Sequence, residues 1–313
     1  MQTPRDVLTP DALSMLQTIA STGSFAAAAR QMGMVPSALT YRVRQIEDAL
    51  DVLLFDRSSR QAKMTAAGAE LLSEGARLLG EIDAVANRVK RVATGWESRF
   101  TIALDTIVSK TTMMELCDAF YALNPPTQIR LRDETLSGTL EALTSGQADL
   151  AIGTGPDSSN VSGLQSKPLG TAHFIFAIAP HHPLAKAQEP LSDAVIQQHR
   201  AVAVADSVQR GSGQTFGIFS GQEVFTVASI RDKLDAQLRG LGVGHLPAGM
   251  ATRYLESGRL VFKQTERAKR LVTVHYAWRQ TKNQSQGRAM QWWLSQLESA
   301  TTRNALLENH ASY

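Results

Sequence analysis

The stretch Gly23-Ser24-Phe25-Ala26-Ala27-Ala28-Ala29-Arg30-Gln31-Met32-Gly33, followed closely by Pro36-Ser37-Ala38-Leu39-Thr40-Tyr41-Arg42-Val43-Arg44, decides the fold of the N-terminal part. Ser24 is a helix cap, the alanine run carries the helix, and Gly33 ends it. Pro36 then stands at the start of the next helix, where its missing N–H leaves nothing unpaired. Leu39, Val43, Ile46 and Leu50 share one face of that helix, so it packs on one side and carries Pro36, Ser37, Thr40, Tyr41, Arg42 and Arg44 outward. Upstream, Thr9-Pro10-Asp11 opens a further helix with Leu13, Leu16 and Ile19 at helical spacing, stopped by Gly23. Downstream, Val52-Leu53-Leu54-Phe55 and Ala62-Lys63-Met64 bracket the polar turn Asp56-Arg57-Ser58-Ser59-Arg60, the pattern of a small β-hairpin. Two short helices joined by a tight turn and followed by a hairpin predict a winged helix-turn-helix, whose second helix fits the major groove of DNA.

The residue types suit that task. Hydroxyls and arginines reach phosphates, and arginine also reads guanine in two-pronged fashion. The wing carries Arg57, Ser58, Arg60 and Lys63 for backbone or minor-groove contact, and Ser24 sits at the start of the preceding helix. Between residues 30 and 63 the basic groups Arg30, Arg42, Arg44, Arg57, Arg60 and Lys63 exceed the acidic groups Glu47, Asp48, Asp51 and Asp56 by two. The acids gather late in the helix and in the turn after it; the bases occupy its outward early turns and the wing.

Thr65 caps a long helix from about Ala66 to Val92 with no proline in it. Leu71, Gly75, Leu78, Ile82, Val85, Val89 and Val92 recur alternately four and three residues apart, a heptad seam that favours a partner helix over packing of an amphipathic helix on its own domain. Beyond Gly95 the composition changes. Strands are expected at Phe100–Leu104, Ile129–Arg132, Gln147–Ile152, Phe174–Ala179, Ala201–Ala205, Glu223–Val227 and Leu271–Trp278. Helices at Met113–Leu123, Thr139–Thr144, Ile230–Arg239 and Ala289–Leu297 alternate with them, which predicts a mostly parallel sheet with helices on both faces. The polar tail after Ala300 is expected to fray.

The whole chain has 313 residues and a formal charge of +3, with 43% hydrophobic residues. Such a chain buries a large core, and it is neither disordered nor a strongly basic coat protein. Cys117 is the single cysteine, so no intramolecular disulfide forms. The opening Met1-Gln2-Thr3-Pro4-Arg5-Asp6 has no apolar segment behind it, and no apolar run reaches the length of a membrane span. A cytoplasmic location without membrane contact is expected.

With these residues in place, the chain resembles the LysR-type transcriptional regulators. Gly23–Ala29, Ser37-Ala38-Leu39-Thr40, Ile46-Glu47-Asp48-Ala49-Leu50, Leu54-Phe55-Asp56-Arg57 and Thr65-Ala66-Ala67-Gly68 stand in the order of that family's N-terminal domain. His182-Pro183-Leu184-Ala185 and Gly240-Leu241-Gly242-Val243-Gly244-His245-Leu246-Pro247 are similar to two signatures of its effector domain. Val35–Tyr41, Gly95-Trp96-Glu97 and Ala203-Val204-Ala205-Asp206 resemble the YhaJ-like subgroup. Pro36 stands where the family usually has a glutamine that contacts DNA, and Tyr41 where it often has arginine, so Thr40, Tyr41 and Arg42 are expected to carry more of the base discrimination here.

The resemblance implies a multi-domain α+β chain: a winged helix-turn-helix over 1–65, a linker and dimerisation helix over 66–94, and a periplasmic-binding-protein-like α/β effector domain over 95–300, with a flexible tail at 301–313. The effector domain would divide into one subdomain of about 95–167 and 275–300 and a second of about 168–274. It implies double-stranded promoter or operator DNA as partner, a homo-oligomer built as a dimer of dimers, and a small-molecule effector between the subdomains. Ligands of doubly wound sheets bind beyond strand ends at helix N-termini. The segments after the strands offer Asp105, Thr106, Ser109, Ser137, Asp206 and Ser229. Asp105 and Asp206 depart from the family pattern, and a carboxylate there would repel an acid or recognise a hydroxyl or amine. The effector is therefore expected to be a polar aromatic compound or an organic acid.

No enzyme is expected, and no cofactor or metal. The chain has no nucleophile elbow, phosphate-binding loop or dinucleotide fingerprint. His181 and His182 lack further ligands at metal spacing and read as surface loop residues; Cys117 and Trp292-Trp293 read as packing. The alternative, a cytoplasmic solute-binding receptor without a DNA function, would leave the basic head without a use.

Overall fold

A computed structural model describes residues 3–56, 62–208, 215–267, 270–280 and 286–310. The chain divides into two compact units, Met1–Arg88 and Val89–Tyr313.

The first unit is helical. α1 (Pro4–Val7) precedes α2 (Pro10–Thr22), whose Thr9 cap accepts the Ala12 amide at 3.3 Å and whose end is turned by Gly23 at φ 64°. α3 (Phe25–Gln31) is capped by Ser24, and α4 (Pro36–Leu50) follows. Ala28 and Ala29 are fully buried, and their small side chains let the helices close on Met15, Ile19, Leu39, Val43 and Ile46. β1 (Phe55–Asp56) and β2 (Lys63–Met64) form the antiparallel base of the wing, with Asp56 opposite Lys63. Glu47 is only 4% exposed and its Oε1 accepts the amide of Leu54 at 2.8 Å, fixing the entry to that hairpin. α5 (Ala66–Thr94) then begins so close to β1 that a Cβ on Gly68 would lie 2.1 Å from the Leu54 carbonyl oxygen, which is why only glycine fits there.

In the second unit β3 (Arg99–Asp105), α6 (Lys110–Tyr121), β4 (Gln128–Glu134), α7 (Ser137–Thr144) and β5 (Leu150–Thr154) alternate. β4 and β5 both pair parallel with β3. The fifteen-residue β6 (Leu164–Ile178) comes next, then α8 (Asp193–Gln197), β7 (Ala201–Val204), β8 (Val224–Val227), α9 (Ile230–Leu238), β9 (Gly244–Pro247), α10 (Ala248–Glu256), β10 (Val261–Phe262), β11 (Arg270–Arg279), α11 (Arg288–Glu298) and α12 (Ala300–Glu308). The first part of β6 pairs antiparallel with β11, and its last part with β9 and β10. One strand thus serves both halves of the unit, and the expected boundary near residue 168 falls inside it. β7 and β8 form a separate parallel pair.

The sheet is mixed, not mostly parallel, because the long β6–β11 ribbon runs antiparallel through its middle. The main core gathers Phe100, Ile102, Leu104, Phe120, Tyr276, Trp278 and Trp293. Cys117 and Trp292 pack against it. The expected fraying after Ala300 is corrected for the described part: Ser299 caps α12, and Leu306 and Leu307 join the same core. Two adjacent leucines in a polar segment give no helical stripe, so their burial was not visible in the pattern. Among the described residues, no helix is long and apolar enough to cross a membrane.

Candidate functional site

The first candidate site is the outward face of α4. Ser37, Tyr41 and Arg44, spaced four and three residues apart, are exposed together on the side away from Leu39, Val43 and Ile46. Tyr41 is 63% exposed. Arg42 is exposed on the flank of that face, and Pro36 is exposed at its start. Thr40 is half-buried and its hydroxyl donates to the Pro36 carbonyl at 2.9 Å, so it serves its own helix in this state. Val35 at the N-cap offers no side-chain acceptor, leaving the positive end of the helix available to a phosphate. Ser24 accepts the Ala27 amide at 3.4 Å as the cap of α3. Lys63 is exposed on β2. Arg57, Ser58 and Arg60 lie outside the described residues.

The second candidate site is a cavity of about 80 Å³ in the other unit, at the carboxyl ends of β3, β4 and β7. Asp105 and Thr106 line it with Thr135, Leu136, Val204 and Ile230. Asp105 is held by two amides: Oδ1 accepts from Ile107 at 2.9 Å and Oδ2 from Leu136 at 2.8 Å. Burial, against those two hydrogen bonds, pushes its carboxyl up to about 7. Leu136 has φ 53° and ψ −118°, a backbone conformation that a branched residue rarely adopts, and the Asp105 carboxylate pins it.

The remaining sequence-derived candidates lie outside the cavity wall. Ser109 is buried as the cap of α6 and donates to the Asn309 carbonyl of the C-terminal segment. Ser229 caps α9, accepting the Asp232 amide at 3.1 Å and donating to its carboxylate at 2.7 Å. Ser137 is half-buried at the start of α7. Asp206 accepts the amides of Gly138 at 3.3 Å and Val208 at 3.1 Å, at the seam between the two halves of the unit. For Ser109, Ser229 and Asp206 the cap or turn preference of the short polar side chain took precedence.

Sequence reasoning missed the cationic wall. Lys233, His245 and Arg270 line the cavity beside Phe174 and Phe216. Lys233 is 7% exposed, and burial together with the charge of Arg270 pushes its ammonium down to about 8. Burial, then the charges of Arg270, Lys233 and Arg267, push the His245 imidazole down to about 4. A signal was present: Ile230, Lys233, Leu234 and Gln237 share the buried face of α9, and two polar residues on an apolar stripe mark a special environment. Gln237 donates its side-chain amide to the carbonyls of Ala177 at 2.5 Å and Gly244 at 2.9 Å, while its Oε1 has no partner among the described residues. The reading of His182 as a surface residue is corrected: it is buried, its Nδ1 accepts the Leu184 amide at 3.2 Å, and its ring packs edge-on against His199.

Comparison with known proteins gives a consistent result over most of the chain. Residues 10–69 match the family described as bacterial regulatory helix-turn-helix protein, lysR family, and residues 93–302 match the LysR substrate binding domain. Among curated proteins of Escherichia coli strain K12, the uncharacterized HTH-type transcriptional regulator YeeY is 34% identical over 92% of this chain and 92% of its own. The probable HTH-type transcriptional regulator YhaJ is 35% identical over 93% of this chain and 96% of its own. Among solved structures, full-length CbnR complexed with its target DNA has a TM-score of 0.58 at 16% identity, covering 93% of this chain and 99% of that one.

Proposed function

Because the chain belongs to the LysR family of helix-turn-helix transcriptional regulators, we propose that it binds promoter DNA through the outward face of α4 as a homo-oligomer, under the control of a small molecule bound in the cavity beside Asp105. The observation that carries the reading is that face itself: Ser37, Tyr41 and Arg44 stand together on a helix whose opposite side is locked into the core. Arg42 stands on its flank, Lys63 is exposed on β2, and Arg57, Ser58 and Arg60 join the set by their place in the sequence. With Pro36 in place of the usual glutamine, Thr40, Tyr41 and Arg42 take the base readout and the remaining basic groups hold the phosphates.

The exposed seam of α5 pairs with a second copy. Leu78, Ile82, Val85, Val89 and Val92 are all exposed in the single chain, an apolar row that a partner helix covers. Two such dimers make the tetramer. The effector is a polar aromatic compound or an organic acid. Its binding favours one placement of the two halves of the sensor, a population shift that requires different affinities for the two states. The protein acts in the cytoplasm, as a regulator and not as an enzyme.

A gel-shift with the chain's own upstream promoter region tests the reading. Binding that survives competition by scrambled DNA is the expected result. Equal affinity for both DNAs, or a Tyr41→Ala variant that loses the same factor on both, overturns base readout by this helix.

A further inference from the structure

Two lysines are buried among the described residues of the second unit, and they are treated differently. Lys263 is 5% exposed; its Nζ pairs with Glu189 at 2.8 Å and donates to the carbonyls of Ala187 at 2.9 Å and Ala185 at 3.3 Å. Lys233, almost as deeply buried, has neither an acidic partner nor a hydrogen-bond acceptor among the described residues. It lines the cavity beside Arg270, which also lacks an acidic partner among them and lies instead 5.5 Å from the ring centre of Phe174 and 5.3 Å from that of Phe216. The third nearby cation, Arg267, is satisfied by both oxygens of Asp193. A buried ammonium without a counter-ion is costly, and two adjacent cations repel each other. The arrangement is explained if the missing partner is a ligand.

We infer that the cavity takes a small organic monoanion whose carboxylate is held between Lys233 and Arg270, with its apolar body against Phe174, Phe216, Ile107 and Ile230. This rests on the reading of the cavity as the effector site and sharpens it to one charge class. Arginine matches a carboxylate in two-pronged geometry and lysine adds a point charge, so both bonds are charge-assisted. The small volume suits a simple acid. Asp105, in the same lining, has both oxygens taken by backbone amides, so it is no partner for a second carboxylate on the ligand and, where ionised, repels one. The choice therefore falls on a monocarboxylate, not on a dicarboxylate and not on a phenol lacking an acid group.

The test is thermal unfolding of the full chain at constant ionic strength with millimolar benzoate, phenylacetate, cyclohexanecarboxylate and isovalerate, each beside its amide, and with succinate and inorganic phosphate. Three proteins are compared: the wild type, Lys233→Met and the cavity-filling Thr106→Trp. At least one monocarboxylate should raise the wild-type midpoint by about 2–4 °C while its amide does nothing. Lys233→Met should lose that shift, its affinity falling about tenfold or more, and without ligand should melt no lower than the wild type. The inference is overturned if no monocarboxylate acts, if the amides, succinate or phosphate act equally, if Lys233→Met keeps the shift, or if that variant melts well below the wild type, which would reveal a stabilising partner for the lysine. A neutral or cationic ligand whose shift survives Lys233→Met but not Thr106→Trp sinks the charge class and leaves the effector cavity standing. A shift that survives both variants sinks both readings.

Discussion

The hydroxyl of Thr135 donates to the carbonyl of Ala205 at 2.6 Å, tying the end of β4 to the segment after β7 across a separation of 70 residues. The Thr135 amide donates to Ser207 Oγ at 2.9 Å, and that hydroxyl donates to Glu134 at 2.7 Å. These bonds stand beside the cavity, at the seam where one half of the sensor meets the other. Gly138 belongs to the same seam: a Cβ there would lie 2.0 Å from Ser207 Oγ. Gly138→Ala should therefore force the seam apart, lowering stability by about 1–3 kcal/mol. Urea unfolding checks this, and an unchanged midpoint would show that the seam opens freely.

Glu47 carries a second prediction. It looks like one more surface acid in the charge pattern, yet it is buried and accepts the amides of Leu54 and Phe55 at 2.8 and 3.4 Å. Glu47→Ala leaves both amides without this acceptor, at a cost of about 1–3 kcal/mol. Hydrogen exchange should rise selectively at Leu54 and Phe55, and DNA affinity should fall because the wing loses its anchor. Protection equal to the wild type at those two amides would refute the role.

Salt dependence separates phosphate contacts from base contacts on DNA. Arg60→Ala should weaken binding to all sequences and lower the slope of log affinity against log salt by about one. Alanine at Thr40, Tyr41 or Arg42 should instead cost more on the operator than on scrambled DNA, by about 1–3 kcal/mol for a two-pronged base contact. An unchanged slope for Arg60→Ala removes the wing from the backbone.

Assembly through α5 is testable in solution. Ile82 is 48% exposed in the single chain and lies in the middle of the seam. Ile82→Lys places a charge in the paired interface and should shift the protein to smaller species in sedimentation at micromolar concentration. The same oligomer in the variant would place the interface elsewhere.

His245 gives a signed pH effect. Its folded value of about 4 lies below the ordinary imidazole value of about 6.5. As pH falls below 6.5 the unfolded chain takes up a proton that the folded chain refuses, so this group removes stability progressively down to pH 4. Asp105 and Asp149, pushed up by burial to about 7 and about 6, act in the opposite sense over part of that range. The difference between His245→Gln and wild type isolates the histidine. Between pH 7 and 5 the wild type should lose about 2 kcal/mol more than the variant in urea unfolding. Parallel losses would show that His245 titrates normally.

Local chemistry made the N-terminal unit legible. Thr9, Ser24 and Thr65 each cap the helix that follows them, Gly23 takes the left-handed turn, and the apolar spacing of α4 names its buried face. These are short-range effects, and a linear pattern records them. The sensor's wall is assembled from afar: Asp105, Lys233 and Arg270 come from three elements, and no spacing links them. Ser109 and Ser229 stood at the right strand ends but were claimed by their own helices. Even so, a lysine on the inner stripe of α9 was readable as an anomaly.

The continuity of β6 limits how this sensor can be recombined. It bonds β11 from Leu164 to Pro168 in one register and from Gly170 to Phe174 in another, with Leu169 as the extra residue at the shift, and bonds β9 and β10 afterwards. Inserting one residue in the regular stretch between Thr171 and Phe174 would turn every later side chain of the strand to the wrong side of the sheet. A chimera that exchanges the ligand-binding half must therefore keep the reading frame of this strand to the single residue, and it must take β11 from the same parent.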